Sequence, residues 1–119
     1  MEEALQERLT QCGVPVADTL ARFCGNEALY FRFLRRFPED PSYGVMELAL
    51  EQGRYADAAV ACHTLKGVSG NLGLMPLYDA CVACMPCLRQ ATTDGLDVPL
   101  AALHAAYRDA VSLARLLEA

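Results

Sequence analysis

The sequence predicts an all-α protein whose helices pack as antiparallel neighbours. Three observations carry this. Apolar residues recur at helical spacing in every segment, with no strand-like alternation and no hairpin turn pair. Glycine, proline or a capping residue bounds each periodic stretch. The connections are short, as between antiparallel helices of a bundle.

Taken in order, a short helix over about 2–11 stops near Gly13. Val14-Pro15 opens a second, to about 24, with Val16, Leu20 and Phe23 on one face and Gly25 as its end. Asn26 is a natural N-cap for the third, with Glu27 in its first turn. Tyr30, Phe33, Leu34 and Phe37 form the stripe of that helix, which ends before Pro38. Pro38-Glu39-Asp40-Pro41 is a turn. A helix over about 41–52 follows, terminated by Gly53 at a position that suits a left-handed cap. The next spans about 55–71, with Gly73 beyond its end, and another spans about 75–92 with Pro86 inside it. The last covers about 98–117, with Leu100, Leu103, Tyr107, Ala110, Ala114 and Leu117 as its stripe.

At 119 residues the chain is one domain's worth, long enough to bury a core, and a single domain over 1–119 is expected. An apolar content of 54% excludes a disordered chain. The net charge of −5 argues against nucleic-acid binding. Arg32, Arg35 and Arg36 lie among Phe31, Phe33 and Phe37, which reads as a helix with an apolar face and a solvated basic side. No apolar run approaches the roughly 18 residues of a membrane span. The start, Met1 to Glu7, is acidic and lacks the apolar stretch of a secretory signal, so a cytoplasmic protein is expected.

His63-Thr64-Leu65-Lys66-Gly67-Val68-Ser69-Gly70 is the run that carries chemistry. Lysine at +3 and glycines at +4 and +7 put a nucleophile, a cation and two side-chain gaps on one helix face. Each glycine weakens a helix interior by about 1 kcal/mol relative to alanine. Close approach of another macromolecule to the imidazole is a reason to tolerate both. The opposite face carries Ala58, Ala61, Cys62, Leu65, Val68 and Leu72, so the histidine is expected to point outward. Lys66 is the only lysine among ten basic residues.

Ala61-x-His63-x-Leu65-Lys66-Gly67-x-Ser69-x-Asn71-Leu72-Gly73 resembles the signature of histidine-containing phosphotransfer domains. The likeness extends to Leu77 and Cys81, and upstream to Phe37-Pro38-Glu39-Asp40-Pro41-Ser42-Tyr43 and Glu51-x-Gly53-x-Tyr55-x-Asp57-Ala58, where it is similar to small stand-alone bacterial members. It covers roughly 26–118. The resemblance implies an up-down antiparallel four-helix bundle, here with additional short N-terminal helices and a bundle core at about 26–118. It implies a phosphorelay intermediate without kinase activity of its own. His63 would take a phosphoryl group from a receiver-domain phospho-aspartate and pass it to another receiver aspartate. Lys66 would be the cation beside it and Gly67 the gap that admits the partner; from the residues alone, Gly70 on the same face and Arg89, one turn past position 85, are expected to support the partner. Response-regulator receivers and hybrid sensor histidine kinases are the implied partners of a monomer that needs no cofactor. The chain departs from the family at one place. Many members carry Gln or Glu about 22 residues after the histidine, to hydrogen-bond the imidazole, and here that position is Met85, which offers no useful acceptor.

An imidazole suits the implied task, because its ordinary pKa of about 6.5 leaves much of it neutral at cytosolic pH. No nucleotide loop, carboxylate cluster or catalytic pair accompanies it. His104, the only other histidine, sits among alanines without a basic, glycine or carboxylate setting and reads as a bundle-edge residue.

Six cysteines invite other readings. Cys62 and Cys81 fit as small core residues. Cys81-x-x-Cys84-x-x-Cys87 has the spacing of some iron–sulfur runs, yet lacks the fourth cysteine. Thiols at i, i+3 and i+6 sweep around a helix and converge poorly on one metal, unless Pro86 kinks it. No bound metal is expected. The rivals to phosphotransfer are therefore a non-phosphorylated helical interaction module and, behind it, a cysteine-cluster metal-binding bundle.

Overall fold

A computed structural model describes residues 1–117, so the last two positions of the expected domain lie outside the described residues. Among the described residues there are seven α-helices: α1 (Glu3–Gln11), α2 (Val16–Arg22), α3 (Glu27–Arg36), α4 (Ser42–Glu51), α5 (Tyr55–Asn71), α6 (Met75–Arg89) and α7 (Asp97–Arg115). A 3₁₀ turn, Phe37–Glu39, links α3 to α4. Among the described residues there is no strand.

The helices end where the backbone can turn left-handed. After α1, α4 and α5 the chain reaches Gly13, Gly53 and Gly73 at φ of 83°, 68° and 75°. At each, two amides reach back to the last turn, as Arg54 N does to the Ala49 carbonyl at 2.8 Å and Gly53 N to Leu50 at 3.1 Å. The same double bond closes α2 and α6, but with Cys24 at φ 56° and Ala91 at φ 52° in the left-handed position. Helix α2 thus stops before the expected Gly25, and α6 ends at Arg89 rather than near 92. At the start of α3 the Asn26 side chain accepts from Leu29 N at 3.0 Å, the expected cap.

Helix α5 lies between α4 and α6, and α6 packs on α7. Gly70 against Tyr78 and Cys62 against Cys81 fix α5 and α6 as antiparallel. Tyr43 stacks on Tyr107, with ring centroids 3.7 Å apart, and joins α4 to α7 to close the bundle. The core is filled by Leu34, Met46, Leu65, Leu77, Leu88, Leu103 and Leu113 together with the small Ala49, Ala58, Cys62 and Cys81. Small residues on α5 let its neighbours approach closely.

The molecule measures 44 × 23 × 22 Å. Its longest helix, α7 with 19 residues, spans only about 28 Å. The N-terminal helices supply extra length by seating on the α5–α6 end. There Gly13 lies against the Pro76 ring, Thr19 against Gly73, and the Tyr30 hydroxyl donates to the Leu72 carbonyl at 2.9 Å.

Two expectations need correction. Phe33, placed on the α3 stripe, is 47% exposed. It sits at the edge of the stripe, its ring 5.8 Å from Phe23, and lines a groove with Arg36, Phe37, Val68 and Leu72. His104 does have a carboxylate neighbour, because Glu47 of α4 reaches its Nε2 across the α4–α7 contact. Burial, and then that carboxylate, push the nearby Tyr43 hydroxyl up to about 12.

Candidate functional site

Helix α5 has one buried side and one open side, and sequence spacing determines which residues face which. Ala58, Ala61, Cys62, Leu65 and Ser69 are buried. Ser69 is tolerated there because its hydroxyl donates to the Lys66 carbonyl at 3.0 Å. His63 falls between these positions and is exposed, as are Val60, Thr64 and Gly67. The outward direction follows from packing α4 and α6 against the small-residue side. Braced on both flanks, α5 presents the imidazole from the middle of a rigid element.

Lys66 is half-buried one turn on from His63. Gly67 has nothing within 4 Å of the position a Cβ would take, so the space beside the imidazole is open. Gly70 differs. A Cβ there would stand 3.0 and 3.2 Å from the Tyr78 ring of α6. The expectation that both glycines are gaps for a partner is therefore corrected at Gly70, whose vacancy is filled from within and lets α6 approach α5. The Gly70 carbonyl also accepts a bond from the Arg22 guanidinium of α2. Lys66, Gly67, Gly70, Asn71, Met75 and Tyr78 line a shallow depression of about 430 Å³, with Arg22 on its wall.

Met85 is buried at 5% exposure and belongs to the core. Among the described residues no side chain hydrogen-bonds His63. Arg89, in the last turn of α6, lies eight residues past Cys81 and is exposed. Among the described residues it forms no hydrogen bond or ion pair with the residues around His63.

Cys62, Cys81 and Cys84 turn inward. Cys81 and Cys84 are fully buried, and the Cys62 thiol donates weakly to the Cys81 carbonyl at 3.6 Å. Cys87 points the other way and donates to the Asp94 carbonyl at 3.3 Å. Burial pushes the Cys84 thiol up to about 12, and a hydrogen bond with Cys62, followed by burial, raises Cys81. Helix α6 runs unbroken through Pro86. Among the described residues no three Cys, His, Asp or Glu side chains stand together as metal ligands would.

Arg22 and Tyr78 are the site residues that sequence spacing missed. Both reach α5 from other helices, and nothing in their local pattern marks them. The only available signal was the pair of small residues at Gly70 and Gly73, which announces a close neighbour without naming it.

The site is thus an exposed histidine on a braced helix, with a cation and an open glycine position beside it. The family model for the Hpt domain matches residues 32–118, and the chain belongs to that family. Its members are phosphotransfer carriers of two-component signalling and interact with receiver domains and kinases. Neither the curated proteins nor the solved structures compared with the chain gave a match. The match begins within α3, leaving α1 and α2 outside it. Among the described residues no helix is long and apolar enough to cross a membrane.

Proposed function

We propose that the protein is a phosphorelay intermediate whose phosphoacceptor is His63. A neutral imidazole nitrogen attacks the phosphorus of a receiver's aspartyl phosphate. The N–P bond forms as the bond from phosphorus to the aspartate oxygen breaks, and the carboxylate departs with that electron pair. A second receiver aspartate reverses the exchange. Such transfer needs positioning and charge neutralisation more than covalent assistance. Lys66 supplies a compact charge on a flexible stem close to the phosphoryl oxygens. Gly67 admits the rim of the partner's pocket. One observation carries the reading: His63 is exposed on a braced helix, beside an open position at Gly67. The partners are response-regulator receivers, a hybrid sensor histidine kinase, or both, acting on a monomer in the cytoplasm.

The test is label transfer from a phospho-receiver to wild-type protein, to His63→Gln and to His104→Gln. Wild type and the His104 variant should take up an acid-labile, alkali-stable label, and His63→Gln none. Equal labelling of His63→Gln would remove the assignment.

A further inference from the structure

We infer that α2 extends the docking face of the bundle and that Arg22 is a specificity-determining residue, contacting an acidic side chain on the body of the receiver. The inference rests on the phosphorelay reading and adds a contact that lies outside the matched residues 32–118.

The helix that carries Arg22 is seated closely on the rest of the molecule at two glycines. Thr19, one turn earlier, is buried, and its Oγ1 occupies the place a Cβ on Gly73 would take. Val14 closes on the same glycine at 3.1 Å, and Gly13 meets Pro76 at 2.8 Å in the same sense. Only glycines at these two positions allow the α1–α2 pair to press against the turn between α5 and α6. The last residue of α2 then reaches the end of α5, and one guanidinium N–H donates to the Gly70 carbonyl. Carbonyls in a last helical turn lack intrahelical partners, and a cation there is favoured by the helix dipole. One donor anchors the side chain. A guanidinium carries five, so donors remain on the wall of the depression that also holds Lys66 and Gly67.

Charge states which partner fits. The chain carries a net −5, yet among the described residues this depression is lined by two cations, Arg22 and Lys66, and by no carboxylate. The local sign is opposite to that of the molecule, which favours an acidic surface approaching here and disfavours it elsewhere. Distance states what Arg22 touches. Gly70 is two helical turns from His63, about 10 Å along α5. That is too far for contact with a phosphoryl group on the imidazole. It lies well inside the roughly 800 Å² that a protein partner covers on each side of a standard interface. Lys66 therefore faces the transferring group, and Arg22 faces the protein that brings it.

A receiver shown to label wild-type protein is used for transfer kinetics with Arg22→Ala, Arg22→Glu and Arg22→Lys, each accompanied by a thermal melt. Arg22→Glu should raise KM tenfold or more at low salt with kcat little changed, Arg22→Ala should raise it less, and Arg22→Lys should stay within about threefold of wild type. Salt should narrow these differences, since an exposed pair is screened over about 8 Å at 0.15 M ionic strength. Should Arg22→Glu keep the wild-type KM, or should Ala and Glu lose equally at every salt concentration in step with lower melting, Arg22 merely caps α5 and the inference falls. If a variant melts below the assay temperature, binding of the beryllofluoride-activated receiver is measured in the cold with the same two outcomes. Absence of labelling in wild type, by contrast, removes the phosphorelay reading itself.

Discussion

Gly67 and Gly70 lie one turn apart on α5, and the same added methyl group should have opposite effects at the two. At Gly67 nothing stands within 4 Å of the new Cβ. Gly67→Ala then keeps only the gain of alanine over glycine in a helix interior, about 1 kcal/mol. For a chain of this size that raises Tm by roughly 3–5 °C. At Gly70 the same gain is opposed by the Tyr78 ring, 3.0 and 3.2 Å from the Cβ. Overpacking of this kind costs about 1–3 kcal/mol, so Gly70→Ala should be neutral or destabilise by up to about 2 kcal/mol. Gly70→Ala with Tyr78→Ala should bring back much of the helical gain. The measurement is urea and thermal unfolding of the three variants, together with Gly67→Gln, followed by phosphotransfer kinetics with one receiver. Gly67→Gln should melt no lower than wild type and transfer more slowly, because its side chain occupies the space that docking requires. Two results would refute the reasoning. If Gly67→Ala destabilises the protein, the face of α5 bearing His63 is packed rather than open. If Gly67→Gln transfers as fast as wild type, the open position plays no part in docking.

Three further outcomes follow from the same geometry. Lys66→Ala should slow transfer, with a stability change within about 0.5 kcal/mol for one surface charge, and rates equal to wild type at low and high salt would reduce Lys66 to a solvated charge. Ala91→Gly should stabilise the protein by about 1 kcal/mol, since Ala91 sits at φ 52° where alanine is strained and glycine is not, and an unchanged urea midpoint would contradict this. Burial raises the Cys84 thiol from 9.0 to about 12, so the folded state holds its proton where the unfolded state releases it. Stability contributed by that thiol is complete below pH 9 and is lost as pH climbs toward 12, and Cys84→Ala should flatten the decline of the urea midpoint across that window.

Much of this architecture can be read from single residues. Gly13, Gly53 and Gly73 mark the ends of three helices because only glycine adopts the left-handed turn at no cost, and Asn26 marks a start because its side chain satisfies an otherwise unpaired amide. Cys24 and Ala91 fill the same backbone role without that chemistry, which is why α2 and α6 end earlier than their composition suggests. His63, Lys66 and Gly67 were legible as a group because helical spacing alone puts them side by side. Gly70, Arg22 and His104 were not. Each owes its setting to a residue on another helix, Tyr78, the Gly70 carbonyl and Glu47 respectively, and periodicity within one helix carries no information about what packs across it.

The contacts that seat α1 and α2 also set an order of assembly. They rest on the Gly70 carbonyl, the bare face of Gly73 and the ring of Pro76, all gathered at the turn between α5 and α6. None of that surface exists until those two helices have met. The segment that leaves the ribosome earlier must therefore wait for residues about fifty positions later, and it closes over a bundle already formed. Amides of α2 should accordingly exchange with solvent through local detachment, well before those in the middle of α5 and α6.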